Sequence, residues 1–442
     1  MKSTQGMLRG GGSASPAPHI VIVGAGFAGL AAARELAHYD VDVTIIDRQN
    51  HHLFQPLLYQ VATAGLSPAD VAAPVRSIVK KQRRTRVLLD QVEGIDRDGK
   101  VISLTSGASL TYDALILATG ATHSYFGNDR WEQHAPGIKT IDDALKVRRQ
   151  ILLALERAET SRQENLEERA EFLTFLIIGG GPTGVEMAGA VAELTRHAAE
   201  MDFRFVTRRC VRIILIEAGQ RLLSTFPERL SEAARESLVK LGVEVRLGGR
   251  VTEIDETGAV VNGELIRSAT IIWAAGVMAS PAARWLDAPA DRAGRVVVDG
   301  HLRVGGWDGI YAVGDTAAVT GANGAPVPGI APAAKQQGSY AAQHLLAELG
   351  FRRRPVAFQY RHFGSLATIG RKRAVVDFGW LRLSGFPAWL LWSTAHIYFL
   401  VGFRNRIVVG ANWLWNYLTF ERGARLITGL GAEGSGPQGH RR

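Results

Sequence analysis

Apolar and polar positions follow two alternating periods along the first four-fifths of the chain, which predicts strands joined by helices. At His19 an apolar run leads into a glycine-rich turn, an alanine-rich helical stretch and a second apolar run that ends at Asp47. A block of the same kind starts at Phe172, and its second apolar run ends at Glu217. Strands that alternate with helices in this way predict an α/β fold with parallel sheets.

Each block carries the glycine spacing of a dinucleotide-binding turn. The first glycine permits the tight turn, the second lets the backbone approach a pyrophosphate, and the third lets the helix pack closely on the strand. The helix N-terminus offers unpaired N–H groups to the phosphates, and the acid that ends the second strand can bond ribose hydroxyls. The two glycine sets are Gly24, Gly26 and Gly29 in the first block, and Gly179, Gly181 and Gly184 in the second.

The acid of the second block indicates which nicotinamide cofactor binds there. Glu217 favours NADH, because a 2′-phosphate would meet a like charge at this position. Arg221 lies four residues further on, so the preference is a moderate one. Residues 195–210 read as a basic insertion that lengthens the preceding helix.

Three later strands also end in small-residue turns. Tyr112–Ala121 and Ala269–Ala279 end near Gly120 and Gly276, and Gly306–Val319 reaches Gly314 and Asp315 before a helix predicted at Pro332–Leu349. By itself the Gly-Asp pair is compatible with a plain turn. After two nucleotide-binding blocks, it predicts a carboxylate that bonds the ribityl chain of a flavin.

Composition and charge narrow the possible chemistry. The chain has 442 residues and one cysteine, Cys210, which excludes a disulfide framework, a cysteine-based zinc site and an internal dithiol centre. No metal site is expected, and no acid/base dyad has convincing spacing. The net charge is +9, and residues 351–425 hold twelve Lys/Arg against two acids. This excess is either a solvated basic face or an attraction to anionic lipid, and its place beside an apolar run favours lipid over nucleic acid.

The motifs together resemble the two-dinucleotide-binding-domain flavoproteins over residues 19–345. The stretches His51–Pro68 and Val327–Gly338, together with the basic aromatic tail, resemble the type II NADH:quinone oxidoreductases and extend the likeness to about residue 425. Disulfide reductases and sulfide:quinone oxidoreductases of this group need cysteines that Cys210 alone cannot supply. The resemblance implies a non-pumping enzyme that passes electrons from NADH through FAD to a lipid-soluble quinone.

The resemblance also implies a domain plan in which an NAD domain is inserted within a split FAD domain. It places the enzyme at the cytoplasmic face of the cell inner membrane, and the first 18 residues lack the apolar core of a signal peptide. The oligomeric state is left open, a homodimer included. The expected parts are a disordered N-terminus at 1–18, FAD domain at 19–125, NADH domain at 126–275, FAD domain at 276–350, a membrane-anchoring region at 351–430 and a disordered tail at 431–442.

The site residues implied by the resemblance fall into two groups. Glu186 would link hydride arrival to proton movement, although a carboxylate there can also serve only the helix dipole. Gln336 and Lys335 are carried over to the quinone side, where Pro332 replaces the first Gln of the family pattern. The cofactor-binding residues are Gly24, Gly26, Phe27, Ala28, Gly29, Asp47, Arg48, Val92, Thr119, Gly120, Gly314, Asp315, Gly179, Gly181, Pro182, Thr183, Gly184, Glu217, Ala218 and Gly276.

The C-terminal stretch has three interpretations: a core or dimer helix pair, a membrane span, or an interfacial anchor. Seventeen residues from Pro387 carry no charge, and as a helix they would extend about 26 Å, short of the roughly 30 Å of a hydrocarbon core. A second segment, Ile407–Arg425, carries a polar stripe of Asn412, Asn416 and Thr419 beside Trp413, Tyr417 and Phe420. Both features favour helices that lie in the membrane surface, through about residues 380–425.

Two other functions remain open from the residues. A soluble NADH oxidase or ferredoxin-type reductase would keep both nucleotide sites and would not need the tail. A non-catalytic NADH-sensing flavoprotein would use the tail to dock a partner.

Overall fold

A computed structural model describes residues 17–161, 165–321, 324–419 and 424–428. The chain divides into two compact units. Among the described residues, the first unit contains those up to Asn50 together with Val75–Gly120 and Ser280–Tyr360. The second contains the described residues of His51–Pro74 and Ala121–Ala279 and those from Arg361 onward. The expected disordered ends at 1–18 and 431–442 lie almost wholly outside the described residues.

The helices and strands follow the alternation predicted from the sequence. The helices are α1 Phe27–Leu36, α2 Leu58–Ala62, α3 Pro68–Val71, α4 Val75–Val79, α5 Ile141–Thr160, α6 Leu166–Phe172, α7 Pro182–Met201, α8 Glu228–Lys240, α9 Ala282–Leu286, α10 Ala331–Glu348, α11 Phe386–Phe399 and α12 Phe403–Thr419. The strands are β1 His19–Val23, β2 Asp42–Asp47, β3 His51–Leu53, β4 Ala72–Pro74, β5 Thr85–Leu89, β6 Val92–Asp96, β7 Val101–Leu104, β8 Ser109–Thr111, β9 Ala114–Leu117, β10 Ala121–His123, β11 Thr174–Ile178, β12 Arg212–Glu217, β13 Val243–Leu247, β14 Val251–Ile254, β15 Gly258–Val261, β16 Glu264–Arg267, β17 Thr270–Trp273, β18 Val277–Ala279, β19 Val296–Val297, β20 Ile310–Ala312, β21 Ala317–Ala318, β22 Ser365–Thr368, β23 Ala374–Asp377 and β24 Arg382–Gly385.

The first unit is built on a parallel sheet with strand order β20-β9-β1-β2-β5. Its central strands are apolar on both faces, and residues such as Ile20, Ile22 and Ile116 are fully buried. Strands of this kind must be covered on both sides. The antiparallel strands β6, β7 and β8 form a separate small sheet.

The second unit repeats this plan with a parallel sheet of order β13-β12-β11-β17. Helix α7 runs for 20 residues after the glycine turn and ends at Met201. It therefore includes residues 195–201 of the predicted basic insertion, and residues 202–210 lie beyond it. The antiparallel sheets β14-β15-β16 and β22-β23-β24 belong to the same unit. The two parallel sheets confirm the predicted α/β class.

The tail of the second unit forms two helices, with bounds that differ from those predicted. Helix α11 has 14 residues and ends at Phe399, because Leu400 adopts an extended backbone conformation. Gly402 then takes a positive φ of 90° in the turn before α12. Helix α12 begins at Phe403, four residues before the predicted start, and its described part ends at Thr419. Among the described residues, no helix has both the length and the apolar character that crossing a membrane requires.

Helices α1 and α10 are in close contact at Gly338. A Cβ at this position would lie 2.0 Å from the carbonyl oxygen of Ala28, so no side chain fits without moving a helix. We expect Gly338→Ala to destabilise the protein by about 1–3 kcal/mol, the usual cost of overpacking. Thermal unfolding and the flavin content of the purified protein measure the effect.

The matched control is Gly305→Ala, because a Cβ at Gly305 meets no atom within 4 Å. It should melt with the wild type. Equal melting temperatures for Gly338→Ala and the wild type would show that α1 and α10 can move apart without a loss of stability, which contradicts the prediction.

Candidate functional site

The first glycine turn is shaped by backbone contacts that exclude a side chain. Gly24 has a φ of +104°, and a Cβ there would lie 2.3 Å from the carbonyl oxygen of Ala118. A Cβ at Gly29 would lie 1.8 Å from the carbonyl oxygen of Gly24. Gly26, in contrast, has open space around it and precedes the first residue of α1. The turn therefore leaves room for a phosphate at the helix N-terminus.

The second unit reproduces this geometry. Gly179 has a φ of +112°, and a Cβ there would lie 2.6 Å from the backbone of Ala274. A Cβ at Gly184 would lie 1.7 Å from the carbonyl oxygen of Gly179, whereas Gly181 again faces open space. Pro182 takes the first helical position of α7, where its missing N–H costs nothing. Both turns thus fit a dinucleotide pyrophosphate.

The acid at the end of the second strand closes each turn. Asp47 accepts hydrogen bonds from the backbone N–H of Ala25 at 2.6 Å and of Gln49 at 2.7 Å. Glu217 accepts the corresponding bonds from Gly180 at 2.5 Å and Gly219 at 2.7 Å. The two carboxylates therefore hold the same place relative to their turns.

A further part of the first unit's site forms around the strand ends of β9 and β20. The backbone N–H of Gly120 donates to the hydroxyl of Thr316 at 2.8 Å, and the Thr119 hydroxyl lies 3.1 Å from that oxygen. Gly314, with a φ of +70°, donates its N–H to the side-chain oxygen of buried Gln337 at 2.6 Å. Asp315 follows in a half-buried position.

Helix α10 places the residues assigned to the quinone side. Gln336 is half-buried in its first turns, and the Lys335 ammonium lies 5.3 Å from the centre of the Phe27 ring. Gln337, which the sequence did not single out, is the residue that bonds the Gly314 turn. The only indication of this role in the sequence was that Gln337 directly follows Gln336. Neighbouring side chains of a helix point to different faces, so the two Gln residues have different partners.

The remaining predicted cofactor residues occupy varied positions. Val92 is buried at the start of β6, where it pairs with Leu104, so its side chain serves packing. A Cβ at Gly276 would lie 2.7 Å from the carbonyl oxygen of Ser124. Arg48 and Ala218 are exposed in the turns that follow β2 and β12, and Pro182 and Thr183 are exposed at the start of α7. Ala28 is buried in α1.

Glu186 lies in the second turn of α7, beside the glycine turn of the second unit. Its carboxylate accepts the backbone N–H of Thr368 at 3.4 Å. Burial raises the pKa of Glu186 to about 8, and the bond from Thr368 opposes this only in part. The group therefore changes charge near neutral pH, which is the property that a proton-handling residue needs. Thr368 gave no signal in the sequence.

The tail helices and the segment at 51–74 form an aromatic cleft within the second unit. The Trp392 ring stacks on His396 at 4.2 Å and on Trp413 at 5.3 Å. The indole N–H of Trp413 donates to Gln60 at 2.8 Å. The cleft is open to solvent and is lined by Tyr59, Gln60, Thr63, Gly65, Ala190, Glu193, Thr368, Gly370, Arg371, Trp389, Trp392 and Trp413.

His396, which stacks on Trp392 of the cleft, is not a free titratable group. Its Nδ1 lies 2.7 Å from the carbonyl oxygen of Trp392, and burial lowers its pKa to about 4. The imidazole is therefore neutral at physiological pH and packs as an aromatic ring against Phe54 and Trp392.

Comparisons with known proteins agree with this geometry. Residues 18–338 match the family described as pyridine nucleotide-disulphide oxidoreductase, and residues 362–422 match the NDH2 C-terminal domain. The type II NADH:quinone oxidoreductase Ndh of Mycobacterium tuberculosis is 44% identical over 92% of this chain and 90% of its own length. The NdhA enzyme of the same organism is 41% identical over 92% of this chain and 89% of its own.

The chain belongs to the type II NADH:quinone oxidoreductases.

A solved structure supports the fold of the enzyme. The structure of NDH2 from Plasmodium falciparum in complex with NADH has a TM-score of 0.85, with 22% identity, 93% of this chain covered and 100% of that one. The resemblance inferred from the motifs is thus confirmed, and so are the activity and the cofactors FAD and NADH. The disulfide chemistry for which the broader family is named does not apply to this chain, because its one cysteine is the exposed Cys210.

The elevated pKa of Glu186 predicts a pH effect on flavin reduction. The carboxyl is protonated below about pH 8 and charged above it, so flavin reduction by NADH should change through an ionisation near that pH. Glu186→Gln cannot ionise and should lose this inflection. Stopped-flow flavin absorbance between about pH 6 and pH 9.5 measures it.

Glu200→Gln, an exposed change on the same helix, is the control and should retain the inflection. An unaltered pH profile in Glu186→Gln would assign the ionisation to another group.

Glu217 predicts a change in cofactor choice. Glu217→Ala removes the carboxylate that closes the turn and can bond a ribose, and hydrogen bonds to charged groups contribute about 1.5–3 kcal/mol. We expect KM for NADH to rise by about tenfold or more, and the preference for NADH over NADPH to narrow. Steady-state assays with both cofactors measure it, with exposed Glu236→Ala on α8 as the control. An unchanged KM and preference would remove Glu217 from the site.

Proposed function

We propose that this enzyme is a monotopic membrane protein in which the first unit holds FAD, the second binds NADH, and the tail helices rest on the lipid surface. The observation that carries the proposal is the exposed apolar face of α11 and α12. The duplicated turns support the assignment of one dinucleotide to each unit.

In the first unit, the turn at Gly24–Gly29 and the N-terminus of α1 would bind the FAD pyrophosphate, and Asp47 its ribose. Asp315 would bond the ribityl chain. Bound FAD supplies the chemistry of accepting a hydride and releasing two electrons to a quinone. The chain contributes position and electrostatics, and Gln337 holds the Gly314 turn in shape.

In the second unit, Gly181 and the start of α7 would bind the NADH pyrophosphate, with Glu217 on the adenosine ribose. Glu186, five residues beyond Gly181, would hold or release a proton as the charge at the nicotinamide changes. Its raised pKa and its bond to Thr368 support this role over that of a carboxylate that serves only the helix dipole.

The quinone headgroup would meet Gln336 and Lys335. With Pro332 in place of the first Gln of the family pattern, Gln336 is the amide left to bond a quinone carbonyl. Lys335 supplies positive charge as the quinone gains electrons.

The tail presents one face to the protein and another to solvent. Trp392 and Val409 are buried, and the side chain of Asn405 donates to the carbonyl oxygen of Ala72 at 3.3 Å. Arg382, Arg404 and Arg406 are exposed and suit anionic headgroups. The exposed apolar residues are Trp380, Phe386, Leu390, Leu391, Tyr398, Phe399, Ile407, Leu414 and Trp415.

This arrangement suits a pair of helices that lie in the membrane interface. Trp413, grouped with the tail aromatics in the sequence, instead turns inward to Gln60. We assign the membrane contact to the cytoplasmic face of the inner membrane, in line with a cytoplasmic NADH site. The alternative to this membrane contact is a homodimer that buries the same apolar face of α11 and α12.

The tail is tested by Leu390→Ser combined with Trp415→Ser. Both side chains are more than half exposed, so folding should tolerate the change. Burial of such side chains contributes about 1.5–3 kcal/mol each, and we expect binding to lipid vesicles to fall at least tenfold. NADH oxidation with a water-soluble acceptor should continue. Cosedimentation and steady-state assays measure the two effects.

The control, Val239→Ser with Leu265→Ser, changes two exposed apolar residues elsewhere in the second unit. It should bind vesicles like the wild type. Undiminished vesicle binding by the tail variant would contradict the anchoring role. Loss of a dimer in size-exclusion chromatography, with vesicle binding intact, would assign the face to a second copy.

A further inference from the structure

The loop between α7 and β12, residues 202–211, has no role in the chemistry described above. With its flanking residues Met201 and Arg212 it contains four Arg and one Asp. We call residues 201–212 the basic loop. Its sequence combines cationic and apolar side chains, the composition of a segment that contacts an anionic surface.

The basic loop is held in one shape by the body of the second unit. The Glu159 carboxylate, on α5, accepts the backbone N–H groups of Arg204, Phe205 and Val206 at 2.9–3.0 Å. The Val206 side chain is 1% exposed and anchors the loop. A loop fixed by its backbone presents the other side chains in a set arrangement.

The side chains that this arrangement presents are apolar and basic. Met201 is 70% exposed and Phe205 is 51% exposed. Arg204 and Arg209 are exposed as well, and within the described part of the chain neither forms an ion pair. Arg208 is paired with Glu200 and Arg212 with Glu244, so the loop's excess charge rests on Arg204 and Arg209.

The basic loop lies beside the end of the tail. The guanidinium of Arg425 forms an ion pair with Asp202, the one acid of the loop. Arg425 is six residues beyond the last residue of α12, Thr419, so at most about 20 Å of chain separates them. The ion pair also neutralises the one acid of the basic loop.

We propose that the basic loop is a second membrane contact, in which Arg204 and Arg209 bind anionic lipid headgroups and Phe205 and Met201 enter the interface. The inference rests on the proposed anchoring of α11 and α12, because the Asp202–Arg425 ion pair joins the basic loop to the segment that follows α12. Two points of contact fix the orientation of the second unit on the membrane. Contact through α11 and α12 alone would leave that orientation variable.

The chain carries its own reporter for this contact. Cys210 is the only cysteine, it is exposed, and it lies in the basic loop. An environment-sensitive fluorophore on Cys210 of the full-length holoenzyme reports the loop without any substitution. With vesicles of phosphatidylcholine and phosphatidylglycerol, we expect the emission to shift to the blue and iodide quenching to fall.

A charge variant tests the headgroup contact. Arg204→Gln combined with Arg209→Gln should weaken binding to anionic vesicles by about tenfold or more and flatten its salt dependence. The control pair, Arg229→Gln with Arg250→Gln, removes the same charge from exposed positions of the second unit and should weaken binding less than threefold. A reporter control, Cys210→Ser with Glu256→Cys, labels another exposed turn and should show no blue shift.

The outcomes separate this inference from the anchoring role of the tail. Unchanged Cys210 emission on vesicles that still cosediment the enzyme would overturn the second contact and leave the tail anchor intact. Absence of cosedimentation would overturn both. A blue shift that grows with protein concentration without vesicles would assign the loop to a second copy of the chain and overturn the lipid proposal.

Discussion

The hydrogen bonds from the glycine turn to the strand-end carboxylate are the interaction on which both units depend. Asp47 and Glu217 each accept the N–H of the residue after the first glycine and the N–H two residues beyond the acid itself. Each carboxylate therefore joins the ends of two parallel strands. The helix N-terminus is left directed at open space, which is where a pyrophosphate is stabilised by unpaired N–H groups and the helix dipole.

Helix α7 connects the glycine turn of the second unit to the other parts of that unit's site. A Cβ at Gly189 would lie 2.7 Å from the backbone nitrogen of Gly370, so the helix and the turn after β22 are in close contact. Glu186 and Glu193, seven residues apart on one face, accept the N–H groups of Thr368 and Arg371. One rigid helix thus joins the nucleotide turn, the proposed proton group, the aromatic cleft and, at its far end, the basic loop.

The sequence predicted the parts of the site that depend on local backbone geometry. The glycine spacings, the strand-end acids and the helix at Ala331–Glu348 all lie within one residue of their predicted places. It did not predict Gln337 or Thr368, because each acts through a contact between segments far apart in the chain. Nor did it predict that Trp413 turns inward, since its partner Gln60 lies 353 residues away.

By itself, the sequence determined the α/β class, the two nucleotide turns and the exclusion of cysteine chemistry. These follow from the period of apolar residues, from the need for glycine at strained or crowded positions, and from a count. The tertiary structure alone decided the elevated pKa of Glu186, the inward face of the tail and the pairing of Arg425 with Asp202. Desolvation and ion pairing depend on what surrounds a group, and those surroundings come from residues that the chain brings together only on folding.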